Sequence, residues 1–196
     1  MAEACADRSL DPEMLLVLLE AVAEANEGEG TNLESLSVAE LCDYIVKVHH
    51  GYLRIELPRL DFMTHKVAAR HGDAEPRLAQ IREIFEKLAE DIVHHVREEE
   101  QVVFPRLRAL AESRGAGLTA DELQGMLAQL EGEHTEVGDA LAAMRALSDG
   151  FTPPEWACNT FRAMYDGLAD LERDMQQHVH QENNVLFPRA LAAFSA

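Results

Sequence analysis

The chain has 196 residues, of which 47% are hydrophobic and 27% charged, and this predicts one folded domain with a short appendage. Its 36 acidic and 17 basic residues give a formal net charge of −19, which excludes nucleic acids and anionic membrane surfaces as partners because both repel an acidic protein. No apolar stretch approaches the roughly 20 residues of a membrane span, and three widely spaced cysteines without a CxxC motif are typical of a reduced, cytoplasmic protein.

Glycine and proline cluster in four places and leave long stretches rich in Leu, Ala, Glu and Arg between them. In these stretches apolar residues recur at steps of three and four, which is the periodicity of a helix with one buried face. Capping-box patterns begin at Ser37 and Thr119, and Pro76 and Pro154 stand where a first-turn proline belongs. We therefore predict helices over 12–25, 38–71, 76–112, 120–148 and 154–192.

Four long helices joined by short connections favour an all-α fold, an antiparallel four-helix bundle with an extra N-terminal helix. We expect residues 1–33 to form that helix and a linker, and residues 34–196 to form the bundle. Pro58, Pro105 and Pro188 fall within the long helices. Since proline interrupts the backbone hydrogen bonds of a helix, we expect kinks or early helix ends at these positions.

The sequence contains an internal repeat. Residues 88–106 laid over 171–189 are identical at nine of nineteen positions, and His50 and His134 stand 84 residues apart in the same two halves. The repeat therefore predicts that each half forms a helical hairpin, whose first helix carries one histidine and whose second helix carries the motif Asp-xxx-His-xxx-Glu.

The spacing within the second motif places its histidine and glutamate on one helix face, because residues four apart lie one above the other. His95 with Glu99 and His178 with Glu182 are thus imidazole–carboxylate pairs, and apolar residues share their face. A buried carboxylate is costly unless a charge or a metal meets it. Together with the two histidines of the first helices, four histidines and two glutamates are predicted to converge inside the bundle on a metal.

The neighbours of these residues allow more than one interpretation. Asp91 and Asp174, one turn before each histidine, could accept the second ring N–H of a ligand or could be exposed helix acids. Glu98 and Glu100 are expected on the solvated surface, and Glu133 is a candidate surface residue too. Four further histidines are expected on the surface or beside the ligands: His49, His65, His94 and His180.

Imidazole and carboxylate ligands without thiolate suit iron, zinc, copper or manganese, and two carboxylates among several histidines favour a pair of metals over one. Cys42 and Cys158 are expected to be small apolar core residues rather than ligands. A ferritin-type site needs Glu-x-x-His on two helices, whereas only Glu131 and His134 have that spacing.

Several stretches resemble the haemerythrin-like (HHE) di-iron proteins and, more narrowly, the repair-of-iron-centres family: EEEQVVFP at 98–105, EGEH at 131–134, FTPPEWACNTFRAMYDG at 151–167 and ENNVLFPRA at 182–190. The resemblance covers about 38–192 and implies the haemerythrin-like bundle. It also implies two iron ions in an oxo-bridged non-haem di-iron centre held by five histidines and two bridging glutamates. Carried over residue by residue, these ligands are His50, His71, His95, Glu99, His134, His178 and Glu182. His71 comes from the resemblance alone, because the repeat has a glutamate at the corresponding position 155.

Two departures from the resembled families limit what can be carried over. Oxygen-carrying haemerythrins have a second histidine four residues after the third-helix ligand, where this chain has Gly138, and an aspartate as the last bridge, so oxygen carriage is disfavoured. Many repair proteins carry an N-terminal pair of adjacent cysteines, whereas Cys5 alone precedes Cys42 here.

By resemblance, the function is protection or repair of iron–sulfur clusters damaged by nitrosative or oxidative stress, through iron donation, nitric oxide binding or both. The partners would be iron–sulfur proteins as iron acceptors and nitric oxide or oxygen as small molecules, in the cytoplasm. The main alternative is a module that binds or senses oxygen or nitric oxide without donating iron. An enzymatic function, such as that of a nitric oxide or peroxide reductase, is a further alternative.

Overall fold

The structure, a computed structural model, describes residues 32–113 and 119–195. All regular secondary structure within these residues is helical, and no helix among them is long and apolar enough to cross a membrane. The predicted helix over 12–25 lies outside the described residues, as does nearly all of the segment 1–33. The division at residue 33 stays a prediction.

The unit over residues 36–196 contains four helical rods, three of which include a π-helical turn of five residues. The helices are α1 Val38–Ile45, α2 Gly51–His71, α3 Arg77–Glu98, α4 Phe104–Ser113, α5 Ala120–Leu147, α6 Asn159–Gln181 and α7 Phe187–Ser195; the π turns are Val46–His50, Glu99–Val103 and Glu182–Leu186. The first rod joins α1 to α2, the second joins α3 to α4, the third is α5, and the fourth joins α6 to α7.

The rods pack as an antiparallel four-helix bundle, which confirms the predicted fold. Helix α2 packs against α3 and α6, and α5 packs against the same two helices, while α4 and α7 contact each other at one end of the bundle. Between them lies a core of aliphatic side chains and aromatic rings, in which Leu60, Phe85, Phe161 and Leu171 are fully buried.

Local sequence signals set two of the rod starts as predicted. Ser37 Oγ accepts a hydrogen bond from the backbone N–H of Glu40, and the Glu40 carboxylate accepts one from the Ser37 N–H at 2.8 Å. Thr119 and Glu122 form the same reciprocal pair at the start of α5. Both capping boxes satisfy backbone donors that the first turn of a helix leaves unpaired.

The predicted start of the fourth rod at Pro154 is wrong, because α6 begins at Asn159 with Cys158 as its N-cap. The Ala157 N–H donates to the Pro154 carbonyl at 2.9 Å and so forms a separate turn ahead of the helix. The guanidinium of Arg162 donates to three carbonyls of this segment and holds it against the first turn of α6.

None of the three internal prolines ends its rod. Helix α2 continues through Pro58, whereas Pro105 and Pro188 each stand at the second residue after a π turn. The π turn accommodates the missing N–H, since its backbone bonds run from residue i+5 to residue i: the N–H of Phe104 reaches the carbonyl of Glu99.

Candidate metal centre

Six of the seven predicted ligands lie together in the interior of the bundle. They come from all four rods, where the π turns meet the ends of α3 and α6 and the middle of α5, and their exposed fractions are between 0 and 4%. The six are His50, His95, Glu99, His134, His178 and Glu182.

These side chains form two groups of four that could each hold a metal ion, with ligand atoms within 4.8 Å of one another. Each group takes two of the histidines. Both groups contain the same two glutamates, Glu99 and Glu182. The groups are His50, Glu99, His178, Glu182 and His95, Glu99, His134, Glu182.

Glu99 divides its carboxylate between the two groups. Its Oε2 lies 3.3 Å from Nε2 of His50, and its Oε1 lies 3.3 Å from Nε2 of His95. A carboxylate that offers one oxygen to each of two histidine pairs has the arrangement of a bridging ligand.

Glu182 repeats this arrangement from the opposite side. Its Oε1 lies 3.1 Å from Nε2 of His178, and its Oε2 lies 3.1 Å from Nε2 of His134. The two glutamates are the first residues of two π turns, and His50 is the last residue of the third. Such turns inside α-helices are frequent at functional sites.

The polar atoms at the centre of the cluster fit a bound cation. Both carboxylate oxygens of Glu99, Oε2 of Glu182 and Nε2 of His50 are buried without a hydrogen-bond partner among the described residues. Burying a carboxylate in this way is costly unless it is paired with a charge or coordinates a metal. Four imidazoles, two carboxylates and no thiolate form a donor set for a transition metal of intermediate softness.

The second ring nitrogen of His50 is held from the neighbouring rod. Its Nδ1 lies 2.7 Å from Oε1 of Glu100, which also pairs with the guanidinium of Arg54. The expectation that Glu100 is a solvated surface residue is therefore wrong. An acceptor on Nδ1–H fixes the ring and its tautomer, so that Nε2 faces the cluster.

The Nδ1 atoms of His95 and His134, the histidines of the second group, also have acceptors on neighbouring rods. Nδ1 of His95 lies 2.6 Å from Oε2 of Glu133, and Nδ1 of His134 lies 3.0 Å from Oδ1 of Asn183. Glu133 is thus not a free surface acid but orients a ligand. In all three contacts the holding residue is the sequence neighbour of a ligand on another helix, which is a signal that the sequence offered.

His178 has a different environment. Its ring stacks on His49, with centroids 5.1 Å apart and planes 1° from parallel, while its Nδ1 has no hydrogen-bond partner among the described residues. His49 is itself fixed by Asp174, 2.9 Å from Nδ1, and by Gln181, 3.1 Å from Nε2. Asp174 therefore serves the ring next to the ligand rather than the ligand.

The remaining candidates lie at the surface. Asp91 is exposed and pairs with Lys87 at 2.6 Å, which favours the interpretation as a surface acid. Three histidines have exposed side chains, as expected: His65, His94 and His180.

The structure places His71 outside the cluster. It follows His50 by 21 residues in the same rod, which at 1.5 Å per residue separates their backbones by about 31 Å. Its Nε2 instead lies 3.2 Å from Sγ of Cys158, and its ring contacts Trp156. Cys158 is exposed, so its expected place in the core is wrong, whereas Cys42 is buried.

The charges of the cluster balance one another. Burial would lower the pKa of His95, but the adjacent charge of Glu99 and the hydrogen bond that His95 donates to Glu133 outweigh it and raise the pKa to about 9. Burial would raise the pKa of Glu182, but the charge of His178 and the hydrogen bond between His178 and Oε1 of Glu182 hold it well below its ordinary value. The pKa of His50 is raised as well, since the neighbouring glutamates outweigh its burial, so a cation that binds at His50 and His95 would displace protons from them.

Comparison with known proteins gives the same identification. The hemerythrin HHE cation binding domain matches residues 41–190. The iron-sulfur cluster repair proteins YtfE of Escherichia coli (strain K12 / DH10B) and of Shigella boydii serotype 18 are 34% identical to this chain over 192 residues, covering 98% of it and 83% of each relative. These findings confirm the broad resemblance to the HHE proteins and the narrower resemblance to the repair-of-iron-centres family. The chain belongs to the hemerythrin family, whose HHE domain binds cations.

Proposed function

We propose that this chain holds two iron ions in the six-residue cluster and protects or repairs iron–sulfur clusters damaged by nitrosative or oxidative stress. The observation that carries the proposal is the pair of four-ligand groups that share Glu99 and Glu182. Two histidines for each metal and two shared carboxylates match the ligand count of a dinuclear site better than that of a single ion.

Iron is supported by the chemistry of the donors and by the relatives. Carboxylate and imidazole together suit iron, and no cysteine joins either group of ligands within the described residues. The relatives carry the name iron-sulfur cluster repair protein, and they align with nearly the whole chain.

The residues of the cluster would bind the metal ions, fix the direction of the ligand atoms and exclude bulk water. Glu99 and Glu182 supply two negative charges in the interior, and the rods around them keep bulk water away. Bound there, two iron ions would supply a redox centre that can take nitric oxide or oxygen and a store of exchangeable iron. Neutral imidazoles hold ferrous iron less firmly than thiolates do, and protonation weakens them further, so the ligand set permits release.

The partners proposed on this basis are iron–sulfur proteins that have lost iron, with the released iron as the cargo. A reduced, cytoplasmic setting fits the sparse cysteines and the absence of a membrane-crossing helix among the described residues. Nitric oxide and oxygen are the small molecules that would reach the cluster.

The first experiment is anaerobic reconstitution of the full chain with Fe²⁺, followed by iron analysis and near-UV absorption. We expect about two irons per chain, and their loss in His95→Ala. His94→Ala is the matched control, since His94 is the exposed neighbour of the ligand on the same helix. Equal iron content in both variants would refute the site.

The second experiment separates repair from binding alone. The iron-loaded chain is incubated with an apo iron–sulfur protein, and recovery of the acceptor is measured against the same amount of free Fe²⁺. Recovery faster than with free iron supports donation. Stable iron with reversible spectral change on adding nitric oxide or oxygen, and no recovery, would favour the sensing module instead.

A further inference from the structure

We propose that the two metal positions differ in affinity: the position between His95 and His134 binds more tightly, and the position between His50 and His178 releases its metal first. The inference rests on the two-metal cluster of the proposed function and adds an order of release to it. It follows from the groups that face the second nitrogen of each imidazole.

At the tighter position both rings are held by hydrogen bonds. Oε2 of Glu133 accepts from Nδ1 of His95 at 2.6 Å, and the side-chain amide of Gln129 donates to Oε1 of Glu133 at 3.0 Å and so fixes the carboxylate. Asn183 accepts from Nδ1 of His134 at 3.0 Å. A carboxylate acceptor makes the metal-binding nitrogen more basic, and either acceptor fixes the ring plane.

At the other position only one ring is held in this way. Glu100 accepts from Nδ1 of His50, but it shares its charge with Arg54, which leaves less of it to polarise the imidazole. His178, fully buried, has no acceptor for Nδ1–H among the described residues, and the stacked ring of His49 contacts its face without offering an acceptor to that nitrogen.

The expected difference is large enough to measure. Loss of an outer partner typically weakens metal binding 10- to 100-fold, so the two binding steps should differ by about tenfold or more. Two equivalent positions would also bind in two steps, because the first cation repels the second. The decisive observation is therefore which histidines take the first metal.

The first test uses the full chain labelled with ¹⁵N-histidine, made metal-free and titrated with Zn²⁺ as a diamagnetic divalent probe. The Nε2 signals, assigned from single-histidine variants, should shift first for His95 and His134 at one equivalent, while those of His50 and His178 keep their metal-free positions until the second. Shifts in the reverse order, or of all four signals together, would overturn the proposal.

The second test measures both dissociation constants by competition with a chromophoric chelator. Glu133→Gln should weaken the tighter step about tenfold or more, whereas Glu100→Gln should act on the weaker step. Asp91→Asn is the control, because it removes one charge from α3 where the acid pairs with Lys87 and not with a ligand. If Glu133→Gln changes the tighter step no more than Asp91→Asn does, the proposed order is wrong.

The outcomes separate this inference from the proposed function. Two irons bound with equal preference and delivered to an apo acceptor would overturn the order of release and leave repair standing. Ordered binding without delivery would overturn repair alone, and a chain that binds no Fe²⁺ would refute both.

Discussion

Replacing Gly167 by alanine tests how closely α2 and α6 must approach to bring the metal ligands of the first and fourth rods together. Gly167 is buried on α6, and a Cβ there would lie 2.7 Å from Nη2 of Arg59 and 2.9 Å from Cδ2 of Leu60 on α2. Both distances are shorter than real Cβ contacts, so both neighbours must move.

Two opposing contributions set the expected change in stability. Alanine gains about 1 kcal/mol over glycine in a helix interior. Against this, Leu60 is fully buried and must retreat by about 0.5 Å to reach ordinary contact, and overpacking of this kind costs about 1–3 kcal/mol. Arg59 can move its flexible end, but it then weakens its pairing with the buried carboxylate of Glu56.

The matched control is Gly138→Ala, because a Cβ at Gly138 on α5 meets nothing within 4 Å. That variant should gain up to about 1 kcal/mol. Urea unfolding of the metal-free proteins should therefore rank Gly138→Ala above the wild type and Gly167→Ala below it, about 2 kcal/mol apart. Equal stabilisation by both substitutions would show that α2 and α6 do not approach as closely as the structure has them.

Three further outcomes follow from the charges and burial of the bundle. Stripping iron from the loaded chain with a chelator should lower the melting temperature, since each metal at a hundredfold excess over its Kd contributes about 2.7 kcal/mol to stability. A variant in which both Glu99 and Glu182 are replaced by glutamine should show no such difference. Arg145→Leu should lower the free energy of unfolding by about 3 kcal/mol, because it leaves the buried Glu172 carboxylate unpaired. As a control in the same unfolding assay, Arg173→Leu removes an exposed ion pair and should change that free energy by less than about 1 kcal/mol. At pH 8 a thiol reagent should modify Cys158 and spare Cys42 until the protein unfolds, because burial raises the pKa of the Cys42 thiol to about 12. The labelling is measured by peptide mass spectrometry, and equal labelling of both cysteines would contradict the placement of Cys42 in the core.

The fold and the centre of the site were predictable because their signals are local. A capping box involves residues three positions apart, and Ser37 and Thr119 begin their helices as expected. The spacing of four within a helix fixes the direction of His95 and Glu99 without reference to any other rod. Duplication of that motif then indicates that both copies face one interior.

The outer contacts were not predictable in this way because each joins two rods. Glu100, Glu133 and Asn183 reach a ligand only after the bundle has formed. Each is the sequence neighbour of a predicted ligand, but that adjacency does not say which histidine it contacts. The stacking of His49 on His178 likewise depends on how α6 lies against the first rod.

His71 shows the opposite case, in which a resemblance supplied a ligand that helix geometry argues against. The predicted helix over 38–71 already contained both His50 and His71, and its rise of 1.5 Å per residue separates them by about 31 Å. Two residues so far apart in one rod cannot meet the same pair of metals. The length of the predicted helix was therefore sufficient to question the assignment.

The duplicated Phe-Pro sequence explains one further difference between the pattern and the structure. Helical arithmetic places Val102 and Val185 on the ligand face, yet Val102 is 39% exposed, while Val103 and Leu186 are fully buried. Each of these residues lies in a π turn that begins at Glu99 or Glu182, and the wider turn brings a later residue back to the core. Because the proline two residues after the turn has no N–H to offer a regular α-helical bond, the same dipeptide that breaks the α-helical pattern favours the π turn. A proline inside an otherwise regular helical pattern, repeated at the same distance from two glutamates, therefore indicates a local widening of the helix at the ligands rather than the end of the helix.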